Sequence, residues 1–130
     1  MMGLCAAEDV GVIPWSPLAR GRLARPWQEE MSTERAETDA FGKTLYKRTQ
    51  EADRKVVDRV VEVAGKRGVP MAQVALAWLL SKPGVTSPIV GATKPHHLDD
   101  AVAAVGVKLA PEEIKALEES YVPHPVGGFS

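Results

Sequence analysis

Two short β-branched runs, residues 10–14 (V-G-V-I-P) and 85–90 (V-T-S-P-I-V), bracket a pair of helical stretches, and this constrains the fold more than any other feature. Each run has the length and composition of a buried parallel strand, and Pro14 marks the end of the first. A helical crossover between two strands of one sheet makes them parallel. Two parallel strands do not form a stable sheet covered on both faces, so the pattern reads as part of a larger α/β layer.

Between the strands, the spacing predicts a helix over 50–67 with Val56, Val57, Val60, Val61 and Ala64 on its inner stripe and Gly68 as its stop. A second helix over 70–81 carries the run V-A-L-A-W-L-L, apolar almost all round, and must be buried on more than one side. Residues 96–105 form the next predicted helix, with Leu98, Val102 and Val105 inward and Gly106 closing it. Pro111, Glu112 and Glu113 start a last helix that runs to about Ser120, the carboxylates complementing the positive end of the helix dipole. Residues 1–7 read as the end of a helix, 24–48 as a long excursion loop and 121–130 as an irregular tail.

A composition of 45% hydrophobic and 25% charged over 130 residues allows one core, hence a single domain over 1–130. The formal net charge of -1 gives no global attraction to nucleic acid or an anionic membrane, so any anion binding must be local. Cys5 is alone, which excludes an internal disulfide and fits a reducing cytoplasm. No apolar run approaches the roughly 20 residues of a membrane span, and no signal segment opens the chain, so a soluble cytoplasmic protein is expected. His96 and His97 are adjacent at a helix start and do not share a face, and no carboxylate or thiol spacing joins them to His124, so no metal site is expected.

A local anion site is nevertheless suggested at 85–101, where the second strand breaks at Gly91 and a helix restarts near Pro95. Backbone N–H groups at such a turn suit a phosphate, Thr93 adds a hydroxyl donor and Lys94 a positive charge. An ordinary βα loop, using Gly, Thr and Pro for turn geometry alone, fits the same residues.

Four motifs then stand in one order: V-I-P-W-S-P-L-A-R-G-R-L at 12–23, A-Q-V-A-L-A-W-L-L at 72–80, P-I-V-G-A-T-K at 88–94 and L-E-E-S-Y-V-P-H at 117–124. Together they resemble the aldo-keto reductases, in particular the bacterial branch related to the voltage-gated potassium channel β subunits. The resemblance implies an α/β fold, the C-terminal portion of a (β/α)8 TIM barrel: strands seven and eight with their helices, a C-terminal helix and the tail. A complete barrel takes roughly 250 residues, so residues 1–130 would be a single partial domain, with 1–7 ending the sixth barrel helix.

The resemblance also implies an NADP site. Trp15 falls where the family stacks an aromatic ring on the nicotinamide, and Ser16, Pro17, Leu18 and Gly21 where a loop folds over the pyrophosphate, with Arg20 or Arg22 adding charge. Gly91, Thr93 and Lys94 match the turn that holds the adenosine phosphate, the lysine favouring the 2′-phosphate of NADP over NAD. His97 and Asp100 fall where relatives use Gln and Glu near the adenine, and Ala101 where many have Asn, so the adenine contacts depart from the family pattern.

The family reduces aldehydes and ketones to alcohols with a tyrosine proton donor supported by Lys, Asp and His, and none of these four has a matching position here. The expectation is therefore a cofactor-binding part without catalytic residues, inactive alone, whose complete enzyme takes a small carbonyl substrate. Tyr46, with Lys43 and Lys47 nearby, lies in the long loop, where the family gives it no such role. Trp27, Met31 and Phe41 in that loop either cover a substrate or close a hydrophobic gap. The alternative is a non-catalytic nucleotide-binding or assembly module, because unpaired strand edges and the apolar 70–81 helix favour association with a partner chain or a second copy.

Overall fold

The computed structural model describes residues 1–27 and 49–123. In order, these form α1 (Met2–Ala7), a 3-10 helix (Ala19–Ala24), α2 (Gln50–Arg67), α3 (Met71–Leu80), α4 (Pro95–Gly106) and α5 (Pro111–Glu118). Residues 28–48 and 124–130, with the expectations for Met31, Phe41, Lys43, Tyr46, Lys47 and His124, lie outside the described residues.

The two predicted strands do run parallel. They meet at two isolated bridges, Val12 with Val85 and Trp15 with Ile89. Val12 N–H donates to Gly84 O (3.2 Å), Thr86 N–H to Val12 O (2.8 Å) and Ile89 N–H to Pro14 O (2.9 Å). Three steps of chain separate the bridges on the first segment and four on the second. The extra residue is accommodated where Pro88 cannot donate to a ladder, so the pairing is bulged and not continuous. The expected burial of both strands is not observed: Val10 is 55% exposed, Ile13 60% and Ile89 52%. A strand is buried only by neighbours on its edges and faces, and two bridged segments supply few.

α2 ends as its sequence dictates. Gly68 is left-handed at φ 65, Gly68 N–H donates to Gly65 O (3.3 Å) and Val69 N–H to Ala64 O (3.2 Å), the paired bonds of a Schellman motif. Glu51 and Asp53 in its first turn and Lys66 and Arg67 in its last complement the dipole. Its buried stripe is Val57, Val60, Val63 and Ala64. Val61, expected inward, lies at the rim of that arc at 36% exposure, and Val63 takes its place.

α3 is buried on several sides, through Met71, Val74, Ala75, Leu76 and Ala77, and packs against α2, α4 and the 3-10 helix. One core joins Val57, Val60, Val63, Ala64, Met71, Val74 and Leu117, with Leu23, Trp27, Val69, Trp78 and Leu109 against it. Trp27 therefore closes a hydrophobic gap, and Arg22 stacks over its ring at 5.2 Å.

α4 departs most from expectation. Leu98, Val102 and Val105 face outward at 56%, 66% and 65% exposure, and Ala104 is the buried residue of the helix. The face turned to α3, centred on Asp100, Ala101 and Ala104, lies roughly a third of a turn from the apolar stripe. Small side chains let α4 approach α3 closely, and Gln73 hydrogen-bonds Asp100 there.

α5 runs to Glu118, two residues short of Ser120. Leu117 is buried beneath it, and polar ties fix its position. Arg67 donates to both Glu113 oxygens (2.5 and 2.6 Å) and to Lys108 O (2.6 Å). Glu113 also accepts from Ala110 N–H at 2.7 Å, closing the first turn of α5. Arg59 pairs with Glu119 at 3.0 Å. Glu118 accepts from Trp78 Nε1 (2.8 Å) and pairs with Lys82, whose ammonium lies 4.7 Å from the Trp78 ring. The Arg67 guanidinium, with help from the Ala110 N–H, holds the Glu113 carboxyl below the usual carboxylate range. Lys82, then Trp78, does the same for Glu118. Among the described residues no helix is long and apolar enough to cross a membrane.

Candidate functional site

Because the two strands are parallel, the segments that follow them leave from the same end of the pair. The Trp15–Ile89 bridge marks that end. Residues 16–24 follow one strand segment and the turn 91–94 the other, so the eleven candidate residues form two groups, from Trp15 to Gly21 and from Gly91 to Asp100, that follow that end of the pair. This is where ligands bind in parallel α/β folds.

The first group begins with Trp15, whose indole is 63% exposed although its backbone is tied to Ile89. The chain then turns through an unusual run of left-handed residues: Ser16 (φ 50), Ala19 (φ 47), Arg20 (φ 56) and Gly21 (φ 95). Only Gly21 adopts this without strain, and a Cβ there would lie 2.8 Å from Arg25 Nη2. Each of the other three carries a cost on the order of 1 kcal/mol, the kind of strain that collects at ligand-binding turns. Backbone bonds hold the turn: Ala19 N–H to Ser16 O (2.9 Å), Gly21 N–H to Leu18 O (2.9 Å) and Leu23 N–H to Leu18 O (3.2 Å). Leu23 and Trp27 then anchor it to the core. Pro17, Leu18 and Arg20 are half-buried.

The second group surrounds the start of α4. Lys94 occupies the N-cap position in extended conformation (φ -138, ψ 149), Pro95 is the first helical residue, and no side chain caps the helix. Gly91, Thr93, Lys94 and His97 are exposed. No protein atom lies within 4 Å of a Cβ built at Gly91, so the backbone there is open to close approach. Thr93 Oγ1 lies 3.5 Å from His97 Nδ1. The His96 and His97 rings meet edge to face at 4.4 Å, and among the described residues no cluster of His, Cys, Asp or Glu could hold a metal ion. Asp100 is half-buried, its Oδ1 accepting from Gln73 Nε2 at 2.8 Å. Gln73 is the functional candidate that sequence reasoning misses; it stands inside a motif otherwise read as core.

The local charge is basic, with Arg20, Arg22 and Lys94 on the two groups, while the perturbed carboxylates Glu62, Glu113 and Glu118 belong to α2 and α5. The arrangement suits an extended anion with an aromatic end: a flat indole, a strained turn and an uncapped helix start with a lysine. An open hollow lined by Thr49, Glu51, Ala52, Lys55, Ser120 and Val122 shares no residue with it.

Comparison with known proteins matches residues 1–122 to the Aldo/keto reductase family. The versiconal hemiacetal acetate reductase of Aspergillus parasiticus is 51% identical over 127 residues, 97% of this chain and 36% of that protein. A putative aryl-alcohol dehydrogenase of Schizosaccharomyces pombe is 45% identical over 133 residues, 98% of this chain and 35% of that protein. Among solved structures, the glycerol dehydrogenase of Gluconobacter oxydans superposes with a TM-score of 0.75 at 22% identity, covering 98% of this chain and 39% of that one. A thermostable aldo-keto reductase in complex with the inhibitor epalrestat gives 0.60 at 26% identity, covering 92% and 33%. The chain thus spans about a third of the length of the relatives it matches.

Proposed function

Because the chain belongs to the aldo/keto reductase family, we propose that its 130 residues are the C-terminal, cofactor-binding part of an NADP-dependent reductase of aldehydes or ketones. One observation carries this reading. The parallel pairing of Val12 with Val85 and of Trp15 with Ile89 brings the Trp15 turn and the Lys94 turn to one end of the strand pair, as an extended dinucleotide requires. In this reading the strands are the seventh and eighth of a (β/α)8 barrel, and 1–130 is one partial domain. Its motifs resemble the bacterial branch related to potassium channel β subunits, although the relatives compared above by sequence are fungal.

The residues present fit such a cofactor. The exposed Trp15 indole offers a face for the nicotinamide ring. Ser16, Pro17, Leu18, Arg20 and Gly21 would hold the pyrophosphate. The open backbone at Gly91, the Thr93 hydroxyl and the Lys94 ammonium would receive the adenosine 2′-phosphate, and His97 and Asp100 would serve the adenine. The nicotinamide, when bound, supplies the hydride. What these residues do is bind and orient: the indole fixes the plane of the ring, and the two basic turns hold the phosphates. The tyrosine proton donor of the family and its Lys, Asp and His partners have no matching position among the 130 residues. Carbonyl reduction is therefore assigned to the complete enzyme, and the isolated chain is inactive.

Amide chemical shifts of the labelled chain, followed during titration with NADPH and with NADH, test the reading. Saturable shifts are expected at 15–21 and 91–97, with NADPH the tighter ligand and its advantage largely removed by Lys94→Glu. Equal losses of both cofactors in that variant would take Lys94 out of the phosphate role, and an absence of shifts in both turns would sink the proposal.

A second reading, a non-catalytic nucleotide-binding or assembly module acting with a second copy or a partner chain, is favoured by the exposed Leu98, Val102 and Val105, together with Ile13 and Ile89. Light scattering over a concentration series tests its self-association arm, since a chain that stays monomeric at every concentration does not act through a second copy.

A further inference from the structure

α4 carries the turn on which Lys94 and His97 are presented, yet its interface with α3 is built from small side chains. Ala104 is 1% exposed, while Asp100 and Ala101 are half-buried. The larger apolar residues Leu98, Val102 and Val105 face away. Small residues permit close approach but provide no bulky knob to fix the rotation of one helix about its own axis. Direction is supplied by a polar tie, Gln73 Nε2 of α3 donating to Asp100 Oδ1 of α4 at 2.8 Å.

We infer that Gln73 is a positioning residue for the nucleotide-phosphate turn: through Asp100 it sets the rotation of α4 and so the direction in which Thr93, Lys94 and His97 are presented. The inference rests on the cofactor reading above. Asp100 lies within two helical turns of Lys94, so a twist at the tie is carried to the turn. A rotation of about 20° moves groups on the helix surface by about 2 Å, enough to take an ammonium out of hydrogen-bond reach of a phosphate oxygen. The bond has a defined polarity, because a carboxylate only accepts while the Gln73 amide both donates and accepts. Gln73→Glu sets two acceptors against each other. Gln73→Glu combined with Asp100→Asn restores the bond with its direction reversed.

The test compares the chain, Gln73→Glu and the double variant for NADPH and NADH affinity by amide-shift titration. Adenine contacts are common to both cofactors, so the ratio of the two affinities isolates the 2′-phosphate turn from any direct effect of Asp100 on adenine. Gln73→Glu is expected to weaken NADPH about ten-fold, with a much smaller effect on NADH, and the double variant to recover the preference. A preference unchanged in Gln73→Glu, even with a lowered melting temperature, leaves Gln73 a structural residue and overturns the inference. So does a loss that the double variant fails to recover. If the parent chain binds neither cofactor, the cofactor reading falls and this inference with it, an outcome recognised from the parent alone.

Discussion

Arg67 and Glu113 meet through two hydrogen bonds of 2.5 and 2.6 Å that join the last turn of α2 to the first turn of α5. The guanidinium lowers the Glu113 pKa, so the unfolded chain, with its ordinary carboxyl, binds this proton more tightly than the folded one. The stabilisation is therefore fully present above the unfolded value of about 4.3 and is lost as pH falls through the lower folded value. Glu118, lowered by Lys82, acts in the same direction. Melting temperature should be flat above about pH 5.5 and fall below about pH 4.5, and Glu113→Gln should reduce the acid slope. A double-mutant cycle of Arg67→Ala with Glu113→Ala should return a coupling of about 1 kcal/mol.

Two glycines of similar setting should respond oppositely to alanine. Gly65 lies inside α2, and a Cβ there meets nothing within 4 Å. Gly65→Ala should stabilise by about 0.5–1 kcal/mol through helix propensity. Gly68 is at φ 65, so Gly68→Ala should destabilise by about 1 kcal/mol. Denaturant melts of the two variants check both signs.

The orientation of α4 makes a paired prediction. Replacing Leu98, Val102 and Val105 together with Gln should leave the unfolding free energy within about 0.5 kcal/mol and reduce any self-association seen by light scattering. Ala104→Leu, at a site 1% exposed, should cost about 1–3 kcal/mol by overpacking. The opposite ranking would mean that the helix is turned the other way.

Trp15 is exposed and is assigned to the ligand by the proposed reading, whereas Trp27 packs against the core. Trp15→Ala should change stability by less than about 0.5 kcal/mol but remove the fluorescence quenching produced by a nicotinamide ligand. Trp27→Ala, which strips a ring from the core, should cost about 2–3 kcal/mol.

The ends of the helices are legible in the sequence because they carry their own punctuation, with Gly68 as a left-handed stop and Pro95 and Pro111 at first turns. Parallel pairing of the strands is legible too, because the crossover between them leaves little choice. The rotation of α4 is not. Leu98, Val102 and Val105 form a regular apolar stripe, and which face of a helix is buried depends on what lies opposite, here α3 with its Gln73 tied to Asp100. The same holds for burial of the strands. In the site, Gly21 announces a left-handed turn, whereas Ser16, Ala19 and Arg20 adopt positive φ with no local signal. Lys94 is legible from its place at the strand-to-helix turn and Trp15 only through the resemblance, while the Gln73–Asp100 tie, 27 residues apart, matches no short pattern.

Both candidate turns are fastened to α3, the first through the packing of the 3-10 helix and the second through Gln73 and Asp100. A ligand spanning the two turns would close a mechanical circuit through a helix that it does not touch. The amides of α3 would then exchange with solvent more slowly in proportion to ligand occupancy, so the buried helix acts as a remote gauge of whether both turns are engaged at once.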